Sequence, residues 1–183
     1  MAIIVTIVIV GVFIGSRYYR SSIQSGPSTV PQKEGLIRED SPTLGPAEAK
    51  VTIVEFLDPE CETCAVFGAI VKKIVKDNDP NIRLVIRYMP LHPNAAKAAT
   101  FVEAAGEQGK YWEALDLLFQ KQPEWGERHG APPNAPKPDI DALFERYAQT
   151  LGLDLKKLET AVKENRFAAK LDRDKRDGQR LGV

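Results

Sequence analysis

Two short apolar runs in the first half of the chain flank an amphipathic segment. Val51–Leu57 (VTIVEFL) and residues 82–89 (IRLVIRYM) are rich in β-branched residues and nearly continuous, which is typical of strands buried on both faces of a parallel sheet. Between them, residues 61–76 place apolar side chains three and four positions apart, which predicts a helix with one buried stripe. This order predicts a βαβ unit with a right-handed crossover.

The second half of the chain has the spacing of helices. Apolar positions recur every three or four residues over five segments, residues 94–109, 111–120, 139–150, 154–164 and 166–180. Asp139 and Asp154 lie at the start of two of these segments and are predicted to cap them. Residues 122–138 hold five of the thirteen prolines, which predicts a surface loop. An α/β domain with a helical insertion at about residues 94–180 is therefore expected.

The amino-terminal segment predicts a membrane anchor. Residues 2–15 (AIIVTIVIVGVFIG) carry no charged side chain and are almost wholly apolar, and such a run is unfavourable in water. We therefore expect residues 1–20 to form a membrane-anchor or signal-anchor helix, with residues 2–19 in the lipid bilayer. A cleaved signal peptide and a buried core helix are the alternatives.

The residues after the apolar run predict a linker and bear on the orientation of the anchor. Residues 21–35 are rich in Ser, Pro, Gly and Gln, a composition that predicts a flexible linker before a domain at residues 36–183. Arg17 and Arg20 follow the apolar run, so the positive-inside rule alone would keep them in the cytoplasm. Basic residues encoded upstream of Met1 would reverse that preference.

Charge and cysteine content exclude several classes of function. Lys and Arg total 25 and Asp and Glu total 25, so the protein has no net field to attract nucleic acid, which is not an expected partner. Two cysteines cannot form the multi-bridge framework of a small disulfide-stabilised domain. Together with two histidines they barely supply the ligands of a structural zinc site.

Cys61-Glu62-Thr63-Cys64 is the strongest chemical signal, because it directly follows a predicted strand and begins a predicted helix. A cysteine in the first turn of a helix faces unpaired backbone N–H groups and the positive end of the helix dipole, which favour the thiolate. Cys61 is therefore the expected nucleophile. Cys64 lies one turn further in, where it can attack a mixed disulfide on Cys61 and release the substrate.

Glu55 is a second candidate catalytic residue, since it places a carboxylate in the middle of an apolar strand. Burying a charge there is costly unless the group is paired or has a function. Beneath the cysteine pair, a Glu55 with a raised pKa could exchange a proton with Cys64. The alternative is an exposed edge strand, or a pair between Glu55 and a nearby lysine.

Other interpretations of the two cysteines remain open. They could form half of a zinc site, or be inert buried thiols. With His92 they could bind copper for delivery to a membrane enzyme, although His92 is better interpreted as a helix-capping or surface residue. The domain could also be an inactive interaction module or a fragment.

Residues 54–64 (VEFLDPECETC) resemble the active-site segment of the DsbA-like thioredoxin-fold proteins, which are extracytoplasmic thiol–disulfide oxidoreductases. Residues 90–95 (PLHPNA) and 109–112 (GKYW) are similar to the same family. The resemblance implies a thioredoxin-like fold in which Cys61 is the nucleophile, Cys64 its buried partner and Glu55 the buried acid. It implies exchange with cysteine-containing substrate proteins on the periplasmic side of the cell membrane, recycling by a soluble or membrane redox partner, and no cofactor or metal.

The sequence departs from the family pattern in two places. Glu62-Thr63 replaces the Pro-His of the strongest oxidants, and the acidic residues Asp58, Glu60 and Glu62 surround Cys61, which predicts a less oxidising couple. In the family, a segment like Leu181-Gly182-Val183 leads into a cis-proline loop, a β-hairpin and a last helix. The resemblance therefore implies an incomplete domain that lacks them, through a truncated reading frame or strands supplied by a partner chain.

Overall fold

A computed structural model describes residues 35–127 and 137–183 of the chain. The predicted membrane anchor and all of the predicted linker except Gly35 lie outside these residues, as does His129. Within the two described stretches, no helix is long and apolar enough to cross a membrane. The described residues belong to one unit, Gly35–Val183.

The predicted βαβ unit is present. Strand β2 (Val51–Leu57) is followed by helix α1 (Glu62–Asp77) and strand β3 (Ile82–Tyr88). Strands β2 and β3 are parallel, with Val51 opposite Ile82 and Leu57 opposite Tyr88. The sequence did not reveal β1 (Thr43–Leu44), which pairs antiparallel with β3 and gives the described sheet the order β1-β3-β2. Two residues are too few to show a strand periodicity.

The insertion is helical, as predicted, and consists of α2 (Ala95–Gly106), α3 (Tyr111–Trp125), α4 (Ile140–Thr150), α5 (Leu155–Lys163) and α6 (Ala168–Leu181). The Asp139 carboxylate accepts a hydrogen bond from the Ala142 backbone N–H at 3.0 Å, and the Asp154 carboxylate accepts two from the next turn. Both predicted caps are therefore confirmed.

Helix α3 continues into the segment that was predicted to be a loop. Its last turn contains Pro123 and ends at Trp125, which is fully buried. The Trp125 indole N–H donates to the Leu118 carbonyl at 2.9 Å. Burial of this large aromatic side chain offsets the cost of a proline in the last turn.

The prediction that β2 is buried on both faces was wrong. Only Leu57 is buried, Val51 is 51% exposed, and the five residues between them are half-buried, because β2 is the outer strand of the described sheet. An incomplete domain without the family's last strands would leave the apolar faces of β2 and β3 poorly covered, but this does not hold for β3. Residues 84–88 of β3 are buried, with α6 against the face that carries Arg87 and the helical core against the face that carries Leu84 and Ile86.

Candidate active site

Cys61 occupies the N-cap position of α1. Its backbone is extended, with φ −77° and ψ 121°, its N–H donates to the Asp58 carbonyl at 3.1 Å, and its carbonyl accepts from the Ala65 N–H at 3.1 Å. The side chain of Cys61 makes no capping hydrogen bond, and its half-buried thiol lies at the amino-terminal end of the helix. This is the electrostatic setting that favours a thiolate.

Cys64 lies one turn inside the helix with its thiol in contact with that of Cys61. Both cysteines are free thiols and half-buried. Burial is the main cause that raises the pKa of Cys64 to about 11, and the neighbouring Cys61 and Glu55 add to it, while the Asp58 backbone opposes the shift. Cys64 is therefore protonated at neutral pH and needs a base before it can act as a nucleophile.

Glu55 lies on β2, on the same face of the sheet as Leu57, facing α1. Burial raises the pKa of the Glu55 carboxyl, and the Lys72 ammonium on α1 partly opposes this shift. The structure therefore shows features of both interpretations of Glu55, the buried acid beneath the cysteine pair and the edge-strand carboxylate near a lysine. The carboxyl is half-buried and acts electrostatically on Cys64, yet β2 is the outer described strand and a lysine is near.

Asp58 and Glu60, two of the three acidic residues near Cys61 in the sequence, are buried and hydrogen-bonded. Asp58 is 4% exposed and Glu60 is 2% exposed, and both carboxylates accept hydrogen bonds from the loop that follows β3. Asp58 accepts from the Leu91 N–H at 2.7 Å, and Glu60 accepts from the Asn94 side-chain amide at 2.8 Å. Each acidic residue therefore holds the Cys61 loop against the neighbouring loop.

Helix α3 holds the same loop from another side. The Gln122 side-chain amide donates to the Pro59 carbonyl at 3.1 Å, and both groups are buried. Beside this contact, the end of α3 and the Cys61 loop line a cavity of about 250 Å³. The loop that presents the nucleophile is thus fixed before any substrate binds.

His92 neither caps a helix through its side chain nor lies free on the surface. Its Nδ1 is 2.8 Å from the Asp58 carboxylate, which makes it a member of the active-site loop contacts. Within the parts of the chain that the structure describes, no three His, Cys, Asp or Glu side chains are grouped to hold a metal ion. The copper-binding alternative stays a prediction.

Sequence reasoning missed the pairing of Asp58 with His92, of Glu60 with Asn94 and of Gln122 with Pro59. A signal for the first two was present, because residues 58–60 directly follow β2 and residues 90–94 directly follow β3. The carboxyl ends of neighbouring parallel strands lie at the same edge of a sheet, where polar residues of the two loops meet.

Comparison with known proteins gives the family. Residues 38–183 match the thioredoxin family. A thioredoxin-like oxidoreductase from Silicibacter pomeroyi is 30% identical and superimposes with a TM-score of 0.65, over 82% of this chain and 79% of the other. Oxidised BdbD from Bacillus subtilis is 25% identical with a TM-score of 0.64, over 78% of this chain and 76% of the other.

A match of a different kind is to curated sodium–proton antiporters. The antiporter NhaA 3 of Salinispora tropica is 38% identical over 133 residues, which are 71% of this chain. The chain spans only 18% of the length of that antiporter, so the similarity is to one segment of it. With the fold, the cysteine geometry and the family match together, the chain belongs to the thioredoxin family.

Proposed function

We propose that this chain is a membrane-anchored, extracytoplasmic enzyme that exchanges disulfides with cysteine-containing substrate proteins. The observation that carries the proposal is the placement of Cys61 at the start of α1, with the Cys64 thiol in contact with it one turn inside. The apolar run at residues 2–15 supports the anchor, and disulfide exchange of this kind belongs to oxidising compartments. A soluble or membrane redox partner would recycle the enzyme.

The reaction proceeds through a mixed disulfide. In the oxidising direction, a substrate thiolate attacks the Cys61 sulfur of the Cys61–Cys64 disulfide, the bond between the two cysteines breaks, and Cys64 leaves and takes a proton. A second substrate thiolate then attacks the substrate sulfur of the mixed disulfide and releases Cys61 as a thiolate. The substrate dithiol loses two electrons, the enzyme disulfide gains them and becomes a dithiol, and the reducing direction is the reverse.

The test of this function is the reduction potential of the cysteine pair in the full chain, held in detergent. The protein is equilibrated with glutathione or dithiothreitol, and free thiols are trapped and counted by mass. We expect a reversible two-electron couple between about −120 and −270 mV, the range of working exchange catalysts. A protein that shows no reversible couple, with Cys64→Ser as the control, would not have this function.

In the reducing direction, in which Cys64 attacks the mixed disulfide, Glu55→Gln is expected to slow the release of substrate by roughly tenfold to a hundredfold at pH 7, a typical loss for general acid–base catalysis. The reason is that Cys64, with a pKa of about 11, relies on Glu55 to take its proton. Quenched-flow trapping of the mixed disulfide measures the rate, and the difference from wild type should narrow as pH rises toward 10.

Glu113→Gln is the matched control for Glu55→Gln, because Glu113 is an exposed glutamate on α3. It should leave the release rate unchanged. If Glu55→Gln behaves like Glu113→Gln, Glu55 is no more than an edge-strand carboxylate near Lys72.

A further inference from the structure

The Asp58 carboxylate accepts hydrogen bonds from both the loop that presents Cys61 and the loop that follows β3. One oxygen accepts from the Glu60 N–H at 2.8 Å. The other accepts from the N–H groups of Leu91 at 2.7 Å and His92 at 3.0 Å, and lies 2.8 Å from His92 Nδ1. The Asp58 carbonyl accepts from the Cys61 N–H at 3.1 Å, so Asp58 and the nucleophile belong to one hydrogen-bonded turn.

His92 supplies the one ring among these contacts that can change its charge near neutral pH. Its side chain is 27% exposed, so protons from water can reach the ring. The hydrogen bond with Asp58 is the main cause that raises the pKa of His92, against a smaller opposing effect of burial. The charges that face His92 are Asp58 and Glu60 from the Cys61 loop and Glu127 beyond α3.

We propose that Asp58 and His92 form a charge-compensating pair that regulates how readily Cys61 becomes a thiolate, an inference that rests on the proposed exchange activity of Cys61. Protonated His92 offsets the negative charge of Asp58, which otherwise disfavours a second negative charge on Cys61. When His92 loses its proton as pH rises, the Asp58 charge acts on Cys61 without compensation. Both are positioning residues, since neither touches the substrate sulfur.

The first test measures thiolate directly, through the rate at which iodoacetamide alkylates Cys61 at pH 6 in the full chain carrying Cys64→Ser. We expect His92→Gln to lower this rate about threefold to tenfold, the effect of one uncompensated charge near a partly exposed thiol. Adding Asp58→Asn to the His92→Gln variant should restore the rate, because the uncompensated negative charge is then removed. Lys97→Gln, which removes an exposed cation on α2, is the control.

The second test uses the reciprocity of linked titrations and does not need Asp58→Asn to fold. A Cys61 thiolate should raise the pKa of His92 by the same factor, so the NMR titration midpoint of His92 should fall by about half to one pH unit when Cys61→Ser is added. The chain has two histidines, and His92→Gln assigns their signals. An unchanged midpoint, or a His92→Gln rate that Asp58→Asn does not restore, would overturn the proposal.

These results are independent of the test of the proposed function. Alkylation requires only an ionised thiol, and the histidine titration requires only that the thiolate is near. If the protein shows no reversible couple but the ionisation of Cys61 is linked to that of His92, the exchange activity is refuted and the Asp58–His92 pair is still supported. A reversible couple without linkage between Cys61 and His92 would support the exchange activity and overturn the proposed role of the Asp58–His92 pair.

Discussion

Cys64→Ser is expected to convert the protein from a catalyst into a trap for its substrates. Cys61 sits at the N-cap of α1 and can still form a mixed disulfide, but the thiol that would release the substrate is gone. In an assay that starts from an oxidised, disulfide-bonded protein, whose disulfide the Cys61 thiolate attacks, reductive turnover should fall by about a thousandfold or more, as when a nucleophile is removed. Mixed disulfides with substrate proteins should accumulate and disappear on reduction.

The comparison with Cys61→Ser separates the roles of the two cysteines. Cys61→Ser should lose turnover to the same extent but form no mixed disulfides, because Cys64 is inside the helix and its pKa of about 11 keeps it protonated. Non-reducing electrophoresis with mass spectrometry of the adducts distinguishes the two variants. If Cys61→Ser accumulates the adducts instead, the assignment of nucleophile and resolving cysteine is reversed.

The part of the site that could be predicted from sequence depends on local patterns. The bounds of β2 and the start of α1 follow from an apolar run and from residues spaced three and four apart, and they place Cys61 and Cys64 on the first turn. Asp139 and Asp154 were predictable as caps because capping is a property of neighbouring residues.

What could not be predicted depends on residues distant in the chain. A continuous apolar run does not reveal whether a strand is central or outer, so the half-exposure of β2 was not predictable. The extension of α3 through Pro123 depends on the burial of Trp125 against other helices. The inward orientation of Asp58 and Glu60 depends on the loop after β3, which is more than 30 residues away.

Charge in the interior was the largest omission, and Arg87 is the main case. Arg87 is the second-to-last residue of β3 and is 0% exposed. Its guanidinium donates to Asp174 at 2.9 Å, to Asp177 at 2.7 Å and to the Leu36 carbonyl at 2.9 Å. These bonds join β3, α6 and the segment at the start of the described domain, a set of contacts that no local pattern in the sequence contains.

This hydrogen-bond network also supports the active site, because α6 contacts the end of β3 and the loop that follows it. The other oxygen of Asp174 accepts from the Tyr88 N–H at 3.2 Å, near the end of β3. The Lys175 ammonium on the same helix donates to the Pro90 carbonyl at 3.1 Å. Helix α6 therefore holds the strand and loop that carry His92 and Asn94 against the Cys61 loop, so that loss of the network should affect stability and the site together.

Asp174→Asn is expected to lower the free energy of unfolding by about 3–5 kcal/mol, because it leaves the buried Arg87 without a full counter-charge. The free energy of unfolding of a typical domain is only about 5–15 kcal/mol, so this loss is a large part of the total. Urea unfolding followed by circular dichroism measures the change, as a midpoint lower by about 1–3 M. Asp77→Asn is the matched control, since the Lys73–Asp77 pair is exposed and should contribute less than about 1 kcal/mol.

A double replacement distinguishes a buried charge pair from a site that merely tolerates no change. Arg87→Met combined with Asp174→Leu removes both charges and keeps the volume, so it should be less destabilising than the sum of the two single replacements. Asp177 remains paired with Arg38 at 2.8 Å and Arg180 at 3.0 Å, so it is not left isolated when Arg87 is lost. If the two single effects simply add, charge compensation is not what Asp174 supplies, and shape at the α6–β3 contact carries the stability instead.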